Sequence, residues 1–404
     1  MPLIKKGIPY LNGTVKASGM SMEAPAENFI LAFATRSDFG YAFDMSGRYV
    51  VIMAGGRGER FWPQSRLKRP KHLLPIVGDS PMLSQTVARL HGLVPPERVF
   101  VITNAEQREA VLESCPALLP EKVIGEPEGR DTAAAVGLAA LLVQEEAGDA
   151  AFALLPADHV IEDGEGFRSV LGSAFEVAEG SGNLVTIGIK PTFPSTAYGY
   201  LCRGKDIEEA DGRPVSQVDS FVEKPNFHKA EEYLHAGNYF WNAGMFVWRP
   251  SVILSSIREH APSISCGLDE LRERWKSHGQ LEEAMSFVYP SLDRISIDFA
   301  VMEKAEGVVM LESAFDWDDV GEWPAIARHY PSDQEGNVFK GSGVGVDSIG
   351  NLAFSEDGHC IALLGVKDLI VVQSGDATLV CHKEHAQQVK DLARLVSEAH
   401  PELG

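Results

Sequence analysis

A chain that runs Tyr49-Val-Val-Ile-Met-Ala54 directly into Gly55-Gly-Arg-Gly58 has few options at that point. The apolar, β-branched run predicts a buried strand, and the glycines end it in a loop. Without Cβ atoms at Gly55, Gly56 and Gly58, such a loop can bring backbone N–H groups against a phosphate. Between Arg57 and Lys71 the chain then carries six basic residues (57, 60, 66, 68, 69 and 71) against one acid, Glu59, in a protein of net charge −21. Positive charge is thus gathered beside a strand end, where a polyphosphate would lie. A solvated basic face is the plain alternative. Neither a P-loop nor a dinucleotide fingerprint fits, because no Gly-Lys-Ser/Thr follows and Phe61 stands where the last glycine of Gly-x-Gly-x-x-Gly would be.

Other stretches extend the pattern. Helical spacing from Leu83, a strand over Arg98 to Thr103 and a helix over Ala105 to Glu113 predict alternating strands and helices, hence a parallel sheet. The turn-rich segment Gly125 to Thr132 leads into an alanine-rich helix, Ala133 to Glu146, whose first turn offers free N–H groups; Asp131 or Thr132 would cap it. A strand over Ala151 to Leu155 delivers Pro156-Ala-Asp-His159 at its carboxyl end, where ligands of open α/β sheets sit. Further strands are expected over 184–189 and 218–222, and a helix over Asp298 to Ala305. Thr196-Ala-Tyr-Gly-Tyr200, Glu223-Lys-Pro225 and Tyr239-Phe-Trp-Asn-Ala-Gly244 each join apolar or aromatic residues to a few polar groups, the composition of a sugar pocket. Phe315 to Trp323 places four carboxylates between 316 and 322; Asp316 and Glu322 are expected to be solvated. After Pro331 come short β-rich pieces and a terminal helix, His385 to Ala399.

The double motif Gly-Gly-x-Gly-x-Arg-x-x-Pro with Pro-Lys-x-x-Leu-Pro resembles the signature of the sugar-1-phosphate nucleotidylyltransferases. Its Phe61-Trp-Pro63 and Arg69-Pro-Lys71 details are similar to the mannose-1-phosphate guanylyltransferase branch, in the monofunctional form without a phosphomannose isomerase cupin. The resemblance, over about residues 49–399, implies an α/β fold: a Rossmann-like nucleotidyltransferase domain (49–330) with a mostly parallel sheet, and a small C-terminal β-helical domain (331–404). It implies GMP transfer from GTP to α-D-mannose 1-phosphate. Arg60 and Lys71 would be catalytic; Gly55, Gly56, Gly58, Arg57, Arg130 and Thr132 would bind nucleotide. Gly199, Glu223, Lys224 and Asn242 would bind the sugar phosphate, and Asp158 and Asp319 would hold Mg²⁺, with Asp318 in a variable position. Asp131 departs from the family's usual asparagine. The alternatives are another base and sugar, such as UTP or dTTP with glucose 1-phosphate, or a non-catalytic sugar-nucleotide sensor, which would be expected to lose one of these charged residues.

Residues 1–48 show no periodicity and read as an N-terminal extension, a disordered tail or an upstream start. The acidity argues against nucleic acid as a partner, and no apolar run approaches the roughly 20 residues that span a bilayer. Five scattered cysteines without a Cys-x-x-Cys pair predict buried thiols in a reducing, cytoplasmic setting. An exposed ladder in the C-terminal domain would allow a homodimer.

Overall fold

The computed structural model describes residues 47–356 and 358–403; expectations for residues 1–46 lie outside the described residues. Arg48, assigned to the extension from sequence, is buried and its guanidinium pairs with Glu179 at 2.8 and 2.9 Å.

Nine apolar segments form one sheet: β1 (Tyr49–Ala54), β2 (Val99–Asn104), β3 (Val123–Glu126), β4 (Phe152–Pro156), β5 (Leu184–Ile189), β6 (Tyr200–Ala210), β7 (Arg213–Val222), β8 (Tyr239–Trp248) and β9 (Val308–Glu312). Their order is β3-β2-β1-β4-β8-β5-β9-β7-β6, with β8 also pairing β6. Only β7 and β8 run against the other seven, so the sheet is mostly parallel. Alternation in β1 shows why its run is apolar throughout. Val50, Ile52 and Ala54 face one core with helices Met82–Arg89 and Gly164–Gly180, while Tyr49 and Val51 face another with helices Asp131–Ala147, Pro250–His260 and Pro262–His278.

Several elements differ from the sequence reading. β3 occupies the start of the stretch taken as turn, because Gly125 and Glu126 continue the ladder with β2. The Asp298–Ala305 helix is a single wide π-turn, Asp298–Met302. Asp131 and Thr132 do not cap their helix in the usual way. Asp131 lies at φ 63° and accepts only its neighbour's N–H, and the Thr132 hydroxyl accepts from Ile297 N–H at 2.8 Å. Of the cysteines only Cys115 is fully buried, and Cys266 and Cys360 are exposed; all five are free.

The C-terminal strands are β10 (Val338–Lys340), β11 (Ser342–Val346), β12 (Leu352–Ser355), β13 (Cys360–Leu364), β14 (Leu369–Ser374) and β15 (Ala377–His382). β10, β12 and β14 stack in parallel on one side, with β15 antiparallel at the edge, and β11 pairs β13 on another. This is a short β-helix. Stacked Asn337 and Asn351, joined at 2.8 Å, satisfy the backbone at its corners. Its core is shared: Phe61, Trp62, Leu74 and Trp323 pack with Leu352, Phe354, Ile370 and Leu379, and with Val389 and Ala393 of helix Val389–Ala399. Burial of these apolar side chains fixes the segment after the glycine loop against the C-terminal domain.

Candidate active site

The glycine loop leaves β1 between β2 and β4, at the carboxyl end of the parallel strands. Thr103 Oγ1 donates to Ala54 O at 2.9 Å and Asn104 Nδ2 to Gly55 O at 3.1 Å, holding the strand end while leaving the loop open. Gly58 has φ 67°, and a Cβ there would lie 2.4 Å from Lys71 Cβ. The glycine is therefore required twice, by its left-handed backbone and by the lysine returning beneath it.

Lys71 is 5% exposed, and its ammonium points inward. It donates to Asp158 Oδ2 (2.8 Å), Asp158 O (3.1 Å) and Asp319 O (2.8 Å). Three donors meet three acceptors, and the loop after β4 is joined to the loop after β9. Burial alone would raise the Asp158 pKa, but the Lys71 ammonium, with smaller contributions from His159 and His72, brings it down to about 2. Asp319 Oδ1 accepts from Tyr198 OH at 2.6 Å and Gly321 N–H at 3.2 Å; burial raises its pKa. One oxygen of each carboxylate carries no hydrogen bond among the described residues.

Asp318 faces elsewhere. Both its oxygens take Arg328 (2.8 and 2.7 Å), with His329 Nε2 at 3.0 Å and Val320 N–H at 2.9 Å. Asp316 is not merely solvated, since it accepts the N–H groups of Glu162 and Asp163, and Glu322 accepts from Gln387. His159 Nδ1 accepts from Trp317 Nε1 at 3.1 Å, and burial lowers its pKa to about 4, so it stays neutral at pH 7.

On the other side of Asp319, Tyr198, Trp241, Trp317 and Phe193 form an aromatic wall. Beside it the Glu223 side chain, 7% exposed, pairs with Lys224. A Cβ on Gly199 would lie 2.5 Å from Glu223 Oε2, so this glycine makes room for the carboxylate. Asn242 is held by Thr186 Oγ1 and Gly244 N–H on its oxygen and donates to Asp298 Oδ1 at 3.1 Å.

Beyond β3, Arg130 bonds to Glu128 and to the Pro290 carbonyl. Glu126, the last residue of β3, is 5% exposed beside Gly55, and its Oε1 accepts no hydrogen bond among the described residues. Burial pushes its pKa up to about 7. The Tyr289 hydroxyl, also buried, lies next to this carboxyl and lowers its pKa part of the way back.

Residues 49–335 match the Nucleotidyl transferase family. The chain belongs to that family. Residues 341–395 of this nucleotidyl transferase match the MannoseP isomerase/GMP-like beta-helix domain. It is 37% identical over 365 residues to the mannose-1-phosphate guanylyltransferase of Escherichia coli K12, covering 86% of this chain and 73% of that one. It is 37% identical over 348 residues to the alginate biosynthesis protein AlgA of Pseudomonas aeruginosa, covering 85% and 71%. A solved structure described as a mannose-1-phosphate geranyltransferase from Thermus thermophilus superposes with a TM-score of 0.75 at 38% identity, over 87% of this chain and 99% of that one.

The nucleotidyl transferase thus brings Asp158, Asp319 and Lys71 together, and separately Gly199, Glu223, Lys224 and Asn242. It does not present the six basic residues as one face. Arg66 pairs with Asp376 and Arg69 with Glu356, both carboxylates of the C-terminal domain, and Lys71 is turned inward. Arg57 and Lys68 are exposed, and Arg60 is half-buried with Nε unbonded among the described residues. Sequence reasoning missed Glu126, Asp298 and Tyr198. A carboxylate ending an apolar strand was the available signal for Glu126.

Proposed function

We propose that this nucleotidyl transferase transfers GMP from GTP to α-D-mannose 1-phosphate, giving GDP-mannose and pyrophosphate. The observation that carries the reading is the tie of two aspartate loops by Lys71 between a polar, aromatic-walled pocket and the glycine loop. A sugar-phosphate oxygen attacks the α-phosphorus of GTP; the new O–P bond forms as the bond to the pyrophosphate oxygen breaks, and no protein nucleophile is required. Arg57, Arg60 and Lys68 supply charge to the phosphates, and the loop N–H groups orient them. The uncommitted oxygens of Asp158 and Asp319 suit Mg²⁺, which takes one or two carboxylates together with phosphates and water. When bound, Mg²⁺ would supply charge neutralisation across the phosphates.

Guanine is favoured by Glu126. Its carboxyl is buried beside the glycine loop with Oε1 unbonded among the described residues, and guanine offers adjacent N1–H and N2–H donors. Pyrophosphate release from four NTPs with several sugar 1-phosphates is expected to be most efficient for GTP with mannose 1-phosphate. Glu126→Gln is expected to lower kcat/KM for GTP by about 10- to 100-fold, through one mismatched buried contact, with the sugar KM unchanged. Better turnover with UTP or dTTP would overturn the base assignment.

The same reading includes a homodimer through the C-terminal domain, supported by the exposed apolar side chains of Val344 and Val346 on β11 and Leu364 on β13, the last 74% exposed. Sedimentation equilibrium is expected to give a dimer that Leu364→Glu dissociates; a monomeric wild type would remove it. The five free thiols support a cytoplasmic setting. Among the described residues no helix is long and apolar enough to cross a membrane.

A further inference from the structure

Asp298 sits on a segment fastened to both halves of the site. Ala133 N–H donates to Ile295 O at 3.1 Å and Ile297 N–H to Thr132 Oγ1 at 2.8 Å, which ties the segment to the helix next to the nucleotide loop. Asn242 Nδ2 donates to Asp298 Oδ1 at 3.1 Å, and Glu303 accepts the Glu223 N–H at 2.8 Å, which ties it to the sugar pocket. Between these anchors the chain makes the π-turn Asp298–Met302, a form that recurs at functional sites.

The carboxylates of Asp298 and Glu223 are near enough to repel. Burial chiefly, and then the Glu223 charge, raise the Asp298 pKa to about 7. Asn242 gives Asp298 one hydrogen bond, and Oδ2 has none among the described residues. Glu223 is nine-tenths buried and occupies the space that Gly199 leaves by lacking a Cβ. Two half-satisfied acceptors sharing one small pocket are unfavourable until donors arrive. A polyol brings them, since each hydroxyl can donate to a carboxylate while accepting from an amide such as Asn242.

We propose that Asp298 is a sugar-specificity residue, its free carboxylate oxygen accepting a hydroxyl proton of the mannosyl ring beside the hydroxyl held by Glu223. The inference rests on the reaction proposed above and adds a contact to it. Because Asn242 bridges Asp298 to the sugar strand, the two acceptors keep a fixed spacing, and a ring whose hydroxyls are spaced otherwise leaves one of them unpaired. The segment also joins Thr132, at the start of helix Asp131–Ala147, to Asn242 in the sugar pocket.

The test uses the full chain, pyrophosphate release, and mannose 1-phosphate with its 2-, 3-, 4- and 6-deoxy analogues and glucose 1-phosphate. Asp298→Asn is expected to lower kcat/KM for mannose 1-phosphate by about 10- to 100-fold, the range for losing a hydrogen bond to a charged group. The loss should lie in the sugar KM, with the GTP KM unchanged. One deoxy analogue, already poor with the wild type, should lose nothing further with the variant. A uniform loss across all analogues would show that Asp298 only positions Asn242, and an unchanged sugar KM or an equal loss in the GTP KM would also overturn the proposal. Should Asp298→Asn fail to fold, Asp298→Glu, which keeps the charge and displaces it by one methylene, is run on the same panel with the same readings. Wild-type preference is measured first: preference for another sugar overturns the reaction itself, whereas a normal wild type with an indifferent Asp298→Asn overturns only the role of Asp298.

Discussion

Asp158→Asn and Asp319→Asn are each expected to lower Mg²⁺-dependent turnover by about 100- to 1000-fold, the range for losing one preorganised charge contact. The mechanism predicts more than a low rate. Each variant keeps the size of the side chain, and the Mg²⁺ concentration needed for half-maximal pyrophosphate release should rise. Asp158→Asn also removes the charge paired with the buried Lys71 and should melt somewhat earlier, whereas Asp319, which Lys71 meets only through its backbone carbonyl, does not carry that pair. Asp318→Asn is expected to leave the use of magnesium alone. Its carboxylate is engaged by Arg328, His329 and Val320 N–H, so the variant should melt earlier and leave the Mg²⁺ requirement where it was. The pH dependence follows the same division. Burial would raise the Asp318 pKa, but His329 and Arg328 outweigh it and hold it well below the usual range. A depressed folded pKa stabilises the fold fully above the unfolded value, about 3.9, and the contribution fades as pH falls from there towards the folded value. Acid melting of Asp318→Asn should therefore lack part of the wild-type dependence below about pH 4. Magnesium titrations and melting curves on the three variants check this; a shifted Mg²⁺ requirement in Asp318→Asn would place the second ligand one residue earlier.

What could be read from the sequence was local. β1 is announced by an apolar run ended by glycines, and the loop after β4 by Pro156-Ala-Asp-His159, because strand and turn chemistry lie within a few residues of each other. The carboxylate choice within Asp316 to Glu322 came from motif spacing; in the structure Asp318 is engaged by Arg328 ten positions on, while Asp319 meets Lys71 through its backbone carbonyl and Tyr198 through one carboxylate oxygen. What stayed hidden depends on distant pairing. Arg66 and Arg69 look like phosphate ligands until Asp376 and Glu356, roughly three hundred positions later, neutralise them. Asp298 looked like the first residue of a helix, and only the Asn242 contact and the π-turn give it another meaning. The helices Gly164–Gly180 and Pro250–His260 were also unread, although Asp163 caps the first by accepting Gly166 N–H at 2.9 Å.

Lys71→Met is the variant with the widest expected consequences. Methionine matches the length of lysine but offers no donors, so Asp158 Oδ2 and the carbonyls of Asp158 and Asp319 all lose their partner at once. Breaking a buried ion pair costs about 3–5 kcal/mol. The Asp158 side chain is 37% exposed, so water replaces part of what is lost, and about 1–3 kcal/mol is expected instead. The consequence for turnover is larger, because the loop after β4 is already joined to the loop after β9 by the Val160–Asp318 backbone pair and by the Asp316 carboxylate, and Lys71 is the contact that sets Asp158 itself within that frame. A displacement of about 1 Å in such positioning can lower a rate 100-fold, so a loss of about 100- to 1000-fold is expected here, comparable with removing a metal ligand. Lys71→Arg should not rescue it: the guanidinium is broader than the ammonium, and its planar fork does not converge on Asp158 Oδ2, Asp158 O and Asp319 O as one ammonium does. Melting of the ligand-free protein separates the two roles open to this lysine. If Lys71 ties the loops, Lys71→Met melts earlier with no substrate present and turns over poorly; full thermal stability combined with lost turnover would instead put its charge on the phosphates.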